Sequence, residues 1–433
     1  MFGTSGIRGP VGEAVTADLA LRVGRALGAE TGRVVVGRDA RDSGAMLVDA
    51  LASGCRELGT DVVDVGLAAT PTVARAVGWT GADAGVSVTA SHNRPPDNGL
   101  KLWQPSGQAY DAAGRERIAA RVEAGDPDLR PWDGLGSRET ADVADRHVAA
   151  LVGAVDPLEL SVAVDLGNGA GRVTADALVE LGCRVVTLNG LPDGRFPGRP
   201  SEPVPEHCTA LSTLVAQGEY DLGIAHDGDA DRTRAVAGDG TFLSGDALLA
   251  LFAAAAADPG ERVAVPVDTS LAVADYLADR DVDVTRTPVG DVYVADAASE
   301  PDVAFGGEPS GAWIWPGETL CPDGPLAAVR MAALTAAEPL EARLERVPSY
   351  PIRRANLEVD DRQAVMDRVE ATVTERFDDV ETLDGVRVGT GEGWLLVRAS
   401  GTQPLVRVTA EARQPDRADA LLADAREIVE TAR

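Results

Sequence analysis

Lysine is nearly missing from this 433-residue chain: of its 40 lysines and arginines, Lys101 alone is lysine. Those 40 cations face 69 aspartates and glutamates, a formal net charge of -29. A chain so acidic has no general field to draw in nucleic acid or an acidic membrane surface, so neither is expected as a partner. Any anionic ligand must find its cations in a local nest. The acid excess is spread along the chain, and arginine is used for nearly every cation. That pattern suits a halophilic protein, whose self-repulsion concentrated salt would screen. A GC-rich genome, which spells arginine more readily than lysine, explains the missing lysines equally well. Either way, a lone lysine kept near Ser91 reads as functional.

Other absences narrow the class further. The four cysteines, Cys55, Cys183, Cys208 and Cys321, lie far apart with no CxxC spacing, which excludes a zinc cage or a disulfide framework and leaves reduced core residues. Met1 to Pro10 lacks a charged stretch followed by an apolar one, and no apolar run reaches membrane-spanning length; a soluble, cytoplasmic protein is expected. Gly167-Asn-Gly-Ala-Gly171 follows a strand-like run, but a dinucleotide fingerprint needs glycine where Arg172 stands. It reads instead as a turn opening a helix, serving phosphate or packing. The acidic run from Asp227 is no EF-hand, which needs glycine at Arg232 and glutamate at Gly238. Asp229-Ala-Asp-Arg-Thr233 imitates the nucleophile loop of aspartyl-phosphate phosphatases, yet no lysine follows downstream.

What is present is organised around Gly85-Val-Ser-Val-Thr-Ala-Ser-His-Asn93, an alternating apolar run ending in serine, histidine and asparagine. A strand should run to Ala90 and leave Ser91 at its carboxyl end, where open α/β sheets collect ligands. Prolines and Asn98-Gly99 then turn the chain and bring Lys101 back to the same place.

The grammar of strand, helix and strand repeats. It runs from Arg33-Val-Val-Val-Gly-Arg-Asp39 to Asp61-Val-Val-Asp-Val-Gly66, from Ser161-Val-Ala-Val-Asp165 to Val185-Val186, and from Arg262-Val-Ala-Val-Pro266 to Val282 and Val284. Three βαβ-type domains in series are predicted. Each adds a strand that stops at an unusual loop: Thr89 to Asn93, Asp227 to Arg232, and Gly306 to Gly311. If the units share a fold, these loops occupy equivalent strand ends. Hydrophobic content of 45% is enough for several cores. The expected division is 1–150, 151–252, 253–346 and 347–433.

The last segment breaks the pattern. A charged, proline-marked stretch from Glu341 to Arg354 reads as a linker, followed by a helix around Gln363 to Phe377, strands at Gly393 to Val397 and Leu405 to Ala410, and a helix from Pro415 to Thr431. This makes a different, α+β domain. Between its strands, Arg398-Ala-Ser-Gly-Thr-Gln-Pro404 with Arg407 holds arginines, hydroxyls and glycine, the inventory for a phosphate dianion; a hairpin turn with solvated arginines is the plain alternative.

Asp227, Asp229 and Asp231 alternate with Gly228 and Ala230, so three carboxylates can converge without crowding. Hard oxygens in that arrangement suit Mg²⁺, with positions left for a substrate oxygen. A solvated acidic turn fits the same spacing in a chain this rich in aspartate.

Taken together, Phe2-Gly-Thr-Ser-Gly-Ile-Arg-Gly9, Thr89-Ala-Ser-His-Asn93, Asn98-Gly-Leu-Lys101, Asp227-Gly-Asp-Ala-Asp-Arg232, Thr287-Pro-Val-Gly-Asp291, Gly307-Glu-Pro-Ser-Gly311 and Arg398-Ala-Ser-Gly-Thr402 resemble the α-D-phosphohexomutases, in order and from end to end. The resemblance implies four domains around a central cleft, and a mutase that interconverts hexose or hexosamine 6- and 1-phosphates through a phosphoserine and a hexose 1,6-bisphosphate. It implies that Ser91 carries the phosphate and completes a Mg²⁺ site with the three aspartates. Arg8, His92, Lys101 and Arg232 would surround the reacting phosphoryl group. Glu308 and Ser310 would grip the sugar, with Thr287 and Gly290 also on the substrate. Arg398, Ser400, Gly401, Thr402 and Arg407 would hold the phosphate that is not reacting.

In bacterial phosphoglucosamine mutases and in phosphomannomutases the sugar loop usually continues Ser-Gly-His, whereas Ala312 and Trp313 follow Gly311 here. The Gly-Glu-Pro-Ser-Gly-Ala-Trp form looks most like archaeal phosphoglucosamine mutases, so glucosamine phosphate is the expected substrate, with glucose and mannose phosphates close behind. The partner is then a small sugar phosphate, and the chain a monomer or homodimer. A sugar phosphatase and a non-catalytic sugar-phosphate sensor are the readings from other classes; the presence of a nucleophile, a lysine and three carboxylates argues against the sensor.

Overall fold

A computed structural model describes residues 3, 6–125, 127–400 and 405–433. The repeat predicted from the chain is visible in the strand topology. Arg33–Arg38 lies between Asp61–Leu67 and Ala84–Val88, parallel to both, and Asp97–Trp103 returns antiparallel beside Ala84–Val88. Ser161–Asp165 lies between Arg184–Leu188 and Leu222–His226 in the same way, with Thr233–Ala237 returning antiparallel. Arg262–Pro266 is again central, parallel to Asp283–Thr287 and Val303–Gly307. Central strands built from valine and alanine are buried on both faces, as helix-covered parallel sheets require.

In the first sheet, the helices Ala17–Gly28 and Gly44–Glu57 pack without side chains at their closest point. A Cβ on Gly24 would lie 2.1 Å from the carbonyl oxygen of Leu51, and one on Gly54 would lie 2.1 Å from that of Leu21. Only glycine lets the two backbones approach so closely.

Two expectations are corrected here. The strand toward Ser91 ends at Val88, not Ala90. Asn98-Gly99 is not a turn but part of the strand Asp97–Trp103. The glycine is needed for strand packing: a Cβ on Gly99 would meet the Ile7 carbonyl oxygen at 2.2 Å and that of Thr89 at 2.8 Å. In the second sheet, Gly171 precedes the helix Arg172–Glu180, and a Cβ on Gly169 would lie 2.5 Å from the Gly228 carbonyl oxygen. That turn therefore packs against the acidic loop.

The C-terminal domain is an antiparallel sheet of five strands, with the helices Arg362–Arg376 and Pro415–Thr431 contributing to its apolar core. One edge strand, Ile352–Glu358, begins inside the stretch read as linker. Its arginines conceal the alternation, because several of its positions face solvent on an edge. The helix Gly245–Ala256 also runs through the boundary expected at 252/253; its alanine-rich end carries no glycine or proline before Pro259.

The chain forms two compact units, Met1–Leu248 with Ser310–Leu344, and Leu249–Pro309 with Glu345–Arg433. No helix among the described residues is long and apolar enough to cross a membrane.

Candidate active site

In the first unit, Ser91 is 1% exposed and holds a left-handed backbone angle, φ +50°. Such a conformation is costly for a residue with a Cβ and persists only where the surroundings enforce it. The enforcing contacts are nearby. The Ser91 amide donates to the Thr89 hydroxyl at 2.8 Å, and that hydroxyl donates to Asp39 at 2.7 Å. So held, the Ser91 hydroxyl donates to Asp227 at 2.6 Å, stands 3.5 Å from Asp231, and lies 3.4 Å from Nδ1 of His92.

Asp227, Asp229 and Asp231 are buried, each offering an oxygen within 4.8 Å of the others. Lys101, 3% exposed, donates to Asp229 at 3.2 Å and to Asp231. The Thr70 hydroxyl donates to Asp229 at 2.6 Å, and the Thr70 amide donates to its carbonyl. Burial raises the carboxyls of Asp227 and Asp231, and the neighbouring carboxylates push them further up. Burial also opposes ionisation of Asp229, but Lys101, Thr70 and Arg8 outweigh it and hold that carboxyl well below the usual range. Burial and mutual repulsion thus oppose ionisation of two of the three acids, a penalty a divalent cation would offset. Oδ1 of Asp229 is buried and receives no hydrogen bond among the described residues. An all-oxygen donor set with an unused buried oxygen fits Mg²⁺.

Cations ring this cluster. Arg8 sits on the strand Ile7–Pro10, with Nε buried and without a partner among the described residues. The Arg232 amide donates to Asp227 at 3.2 Å. Burial and the charges of Arg232, Arg8 and Lys101 push His92 down to about 3, so its imidazole is neutral. A neutral ring can still donate or accept one hydrogen bond beside the serine oxygen.

Ser310 also belongs to the first unit and is exposed. The two residues that follow Ser310-Gly311, where the sequence departs from the Ser-Gly-His pattern, are structural here. Ala312 forms a bridge with Arg232, and the fully buried Trp313 donates its indole N–H to the Thr233 carbonyl at 3.0 Å. Together they dock the loop against the end of the acidic motif.

The second unit contains the remaining described candidates. Glu308 is buried and accepts the Gly290 amide at 2.8 Å. Thr287 is buried, and its hydroxyl donates to the Pro288 carbonyl at 2.8 Å. Arg398 and Arg407 are direct cross-strand partners, so two cations share one face of the sheet, an unfavourable pairing without an anion. Asp384 neutralises part of this, 2.9 Å from Arg398, while Arg407 is exposed. Ser400 is buried and its carbonyl accepts from Arg362. Gly401 and Thr402 lie outside the described residues.

The motif spacing did not mark Asp39, Arg41, Thr70 or Ser201, all of which bear on the serine or the acidic loop. The only available signal was Arg38-Asp-Ala-Arg41 directly after the first central strand.

Comparison with known proteins accounts for nearly the whole chain. Residues 1–128, 144–240 and 244–350 match phosphoglucomutase/phosphomannomutase alpha/beta/alpha domains I, II and III, and residues 355–428 match the C-terminal domain of the same family. A probable phosphoglucosamine mutase of Methanopyrus kandleri is 45% identical over 430 residues, covering 96% of this chain and 95% of the relative. One of Methanothermobacter thermautotrophicus is 44% identical with the same coverage. A solved phosphoglucomutase/phosphomannomutase family protein of Burkholderia thailandensis superposes with a TM-score of 0.89 at 30% identity, covering 100% of this chain and 98% of the other.

Proposed function

Because the chain belongs to the phosphoglucomutase/phosphomannomutase family, we propose that it acts as a phosphoglucosamine mutase, interconverting glucosamine 6-phosphate and glucosamine 1-phosphate. Ser91 carries the phosphoryl group. Its bond to phosphorus breaks as a hydroxyl of the sugar phosphate forms the new one, giving a 1,6-bisphosphate. Lys101, an ammonium between Asp229 and Asp231, gives a proton to the Ser91 oxygen as its bond to phosphorus breaks and takes the one that the attacking sugar hydroxyl releases, so it ends charged as it began. After the bisphosphate turns around, its other phosphate returns to Ser91. The single observation that carries this reading is the buried serine hydroxyl, 2.6 Å from a member of the acidic triad.

When bound by Asp227, Asp229, Asp231 and an oxygen on Ser91, Mg²⁺ supplies positive charge opposite the transferring oxygens. Arg8, Lys101 and Arg232 add charge around the same group, and preorganised charge is the main catalytic lever in phosphoryl transfer. His92 adds a neutral hydrogen-bonding group. Glu308, Ser310, Thr287 and Gly290 take the sugar, and Arg398, Ser400, Gly401, Thr402 and Arg407 take the distal phosphate. In this scheme 1–150 supplies the phosphoserine, 151–252 the metal site, 253–346 the sugar clamp and 347–433 the phosphate pocket of a cytoplasmic enzyme.

Side-by-side turnover of glucosamine, glucose and mannose phosphates, with Mg²⁺ and a trace of the 1,6-bisphosphate, tests this. Glucosamine phosphate should give the highest kcat/KM. Preference for glucose or mannose phosphate would reassign the substrate, and no conversion of any of the three would reject the mutase.

A further inference from the structure

The loop after the strand Arg184–Leu188 crosses from the second sheet to the first and ends between the two catalytic loops. Its Ser201 is 4% exposed. The Ser201 hydroxyl donates to the Ser91 carbonyl at 3.0 Å and accepts the Gly228 amide at 2.9 Å. One hydroxyl thus joins the backbone of the nucleophile to the backbone of the acidic loop. There is no spare room between them: a Cβ on Gly228 would lie 2.8 Å from that hydroxyl oxygen and 3.0 Å from the Ser91 carbonyl oxygen.

Two buried arginines brace the joint from opposite sides. Arg41 pairs with Asp39 and donates to the carbonyls of Ser91 at 2.8 Å and Asn93 at 2.7 Å. Arg199 pairs with Asp165 at 2.7 Å and donates to the carbonyls of His226 at 2.6 Å and Ser201 at 3.2 Å. Asp39 and Asp165 stand at the carboxyl ends of equivalent central strands. The same aspartate and arginine device therefore occurs once in each sheet, and Ser201 connects the two.

We propose that Ser201 is a positioning residue that sets the distance between the Ser91 oxygen and the acidic triad. It touches neither substrate nor the reacting atoms and acts through main-chain hydrogen bonds. Since phosphoryl transfer depends on placement to within about 1 Å, loosening this joint costs turnover and leaves substrate affinity alone. The proposal rests on the phosphoserine reading of Ser91.

The test compares Ser201→Ala and Ser201→Thr with wild-type protein. Ser201→Ala should lower kcat on glucosamine phosphate on the order of 10-fold or more, with KM nearly unchanged, and Ser201→Thr, which keeps the hydroxyl, should recover most of it. Hydrogen exchange, which needs no turnover, should show faster exchange in 88–101 and 222–232 for the alanine variant only. Wild-type protein that converts no hexose phosphate would reject the mutase reading. Wild-type kcat in Ser201→Ala, a loss threonine does not recover, or unchanged exchange in both segments would overturn the role of Ser201.

Discussion

The first unit concentrates its chemistry in a closed, interlocked cluster, whereas the second presents its arginines openly. Ser91, Lys101 and the three aspartates are all below 5% exposed, and Thr70, Thr89, Arg41 and Ser201 fix their positions. In the second unit Arg407 is exposed and faces Arg398 across the sheet, with Asp384 2.9 Å from Arg398 and Asp268 also near enough to feel its charge. The first arrangement tolerates no movement and suits charge that develops during a reaction. The second waits for an anion and suits charge that is present before and after. Variants in the two regions should therefore separate into kcat effects and KM effects.

The largest effect is expected from Ser91→Ala, which removes the phosphoryl carrier and should lower turnover by roughly 10³-fold or more. If the acidic loop instead served a phosphatase, Ser91→Ala would spare the release of free phosphate while Asp229→Asn abolished it, an outcome that phosphate assays on both variants would detect. Lys101→Met should cut kcat by roughly 10²-fold, since the methionine keeps the bulk and removes the exchangeable proton; near wild-type turnover would remove Lys101 from the chemistry. The smallest change is expected from Arg407→Ala. It should raise KM by roughly 10-fold and leave kcat within about threefold, because the distal phosphate is held equally in ground and transition states. A loss confined to kcat would erase the contrast between the units.

How much of this was legible in the sequence depended on whether a local pattern carried geometric content. Three aspartates separated by Gly228 and Ala230 have room to converge, although the same spacing also fits a solvated turn, and valine-rich strands recurring at matched intervals announce a parallel sheet. Asn98-Gly99 misled because the pair that marks a turn in isolation also marks a close strand crossing, and only the position of Ile7 distinguishes them. Ser201 was invisible for a different reason. It lies 110 residues from Ser91 and speaks to a main-chain carbonyl, so neither spacing nor residue type predicts the contact. Arg41 and Arg199 likewise read as two more arginines in a chain full of them until their burial and carbonyl partners are seen.

The most direct test of Ser91 as phosphoryl carrier is to incubate the protein with glucose 1,6-bisphosphate and Mg²⁺, then locate the acquired phosphate by tandem mass spectrometry. A single phosphate on Ser91, absent from Ser91→Ala, is the predicted result. A phosphate on any other residue, or full mutase turnover with Ser91 never phosphorylated, would contradict it.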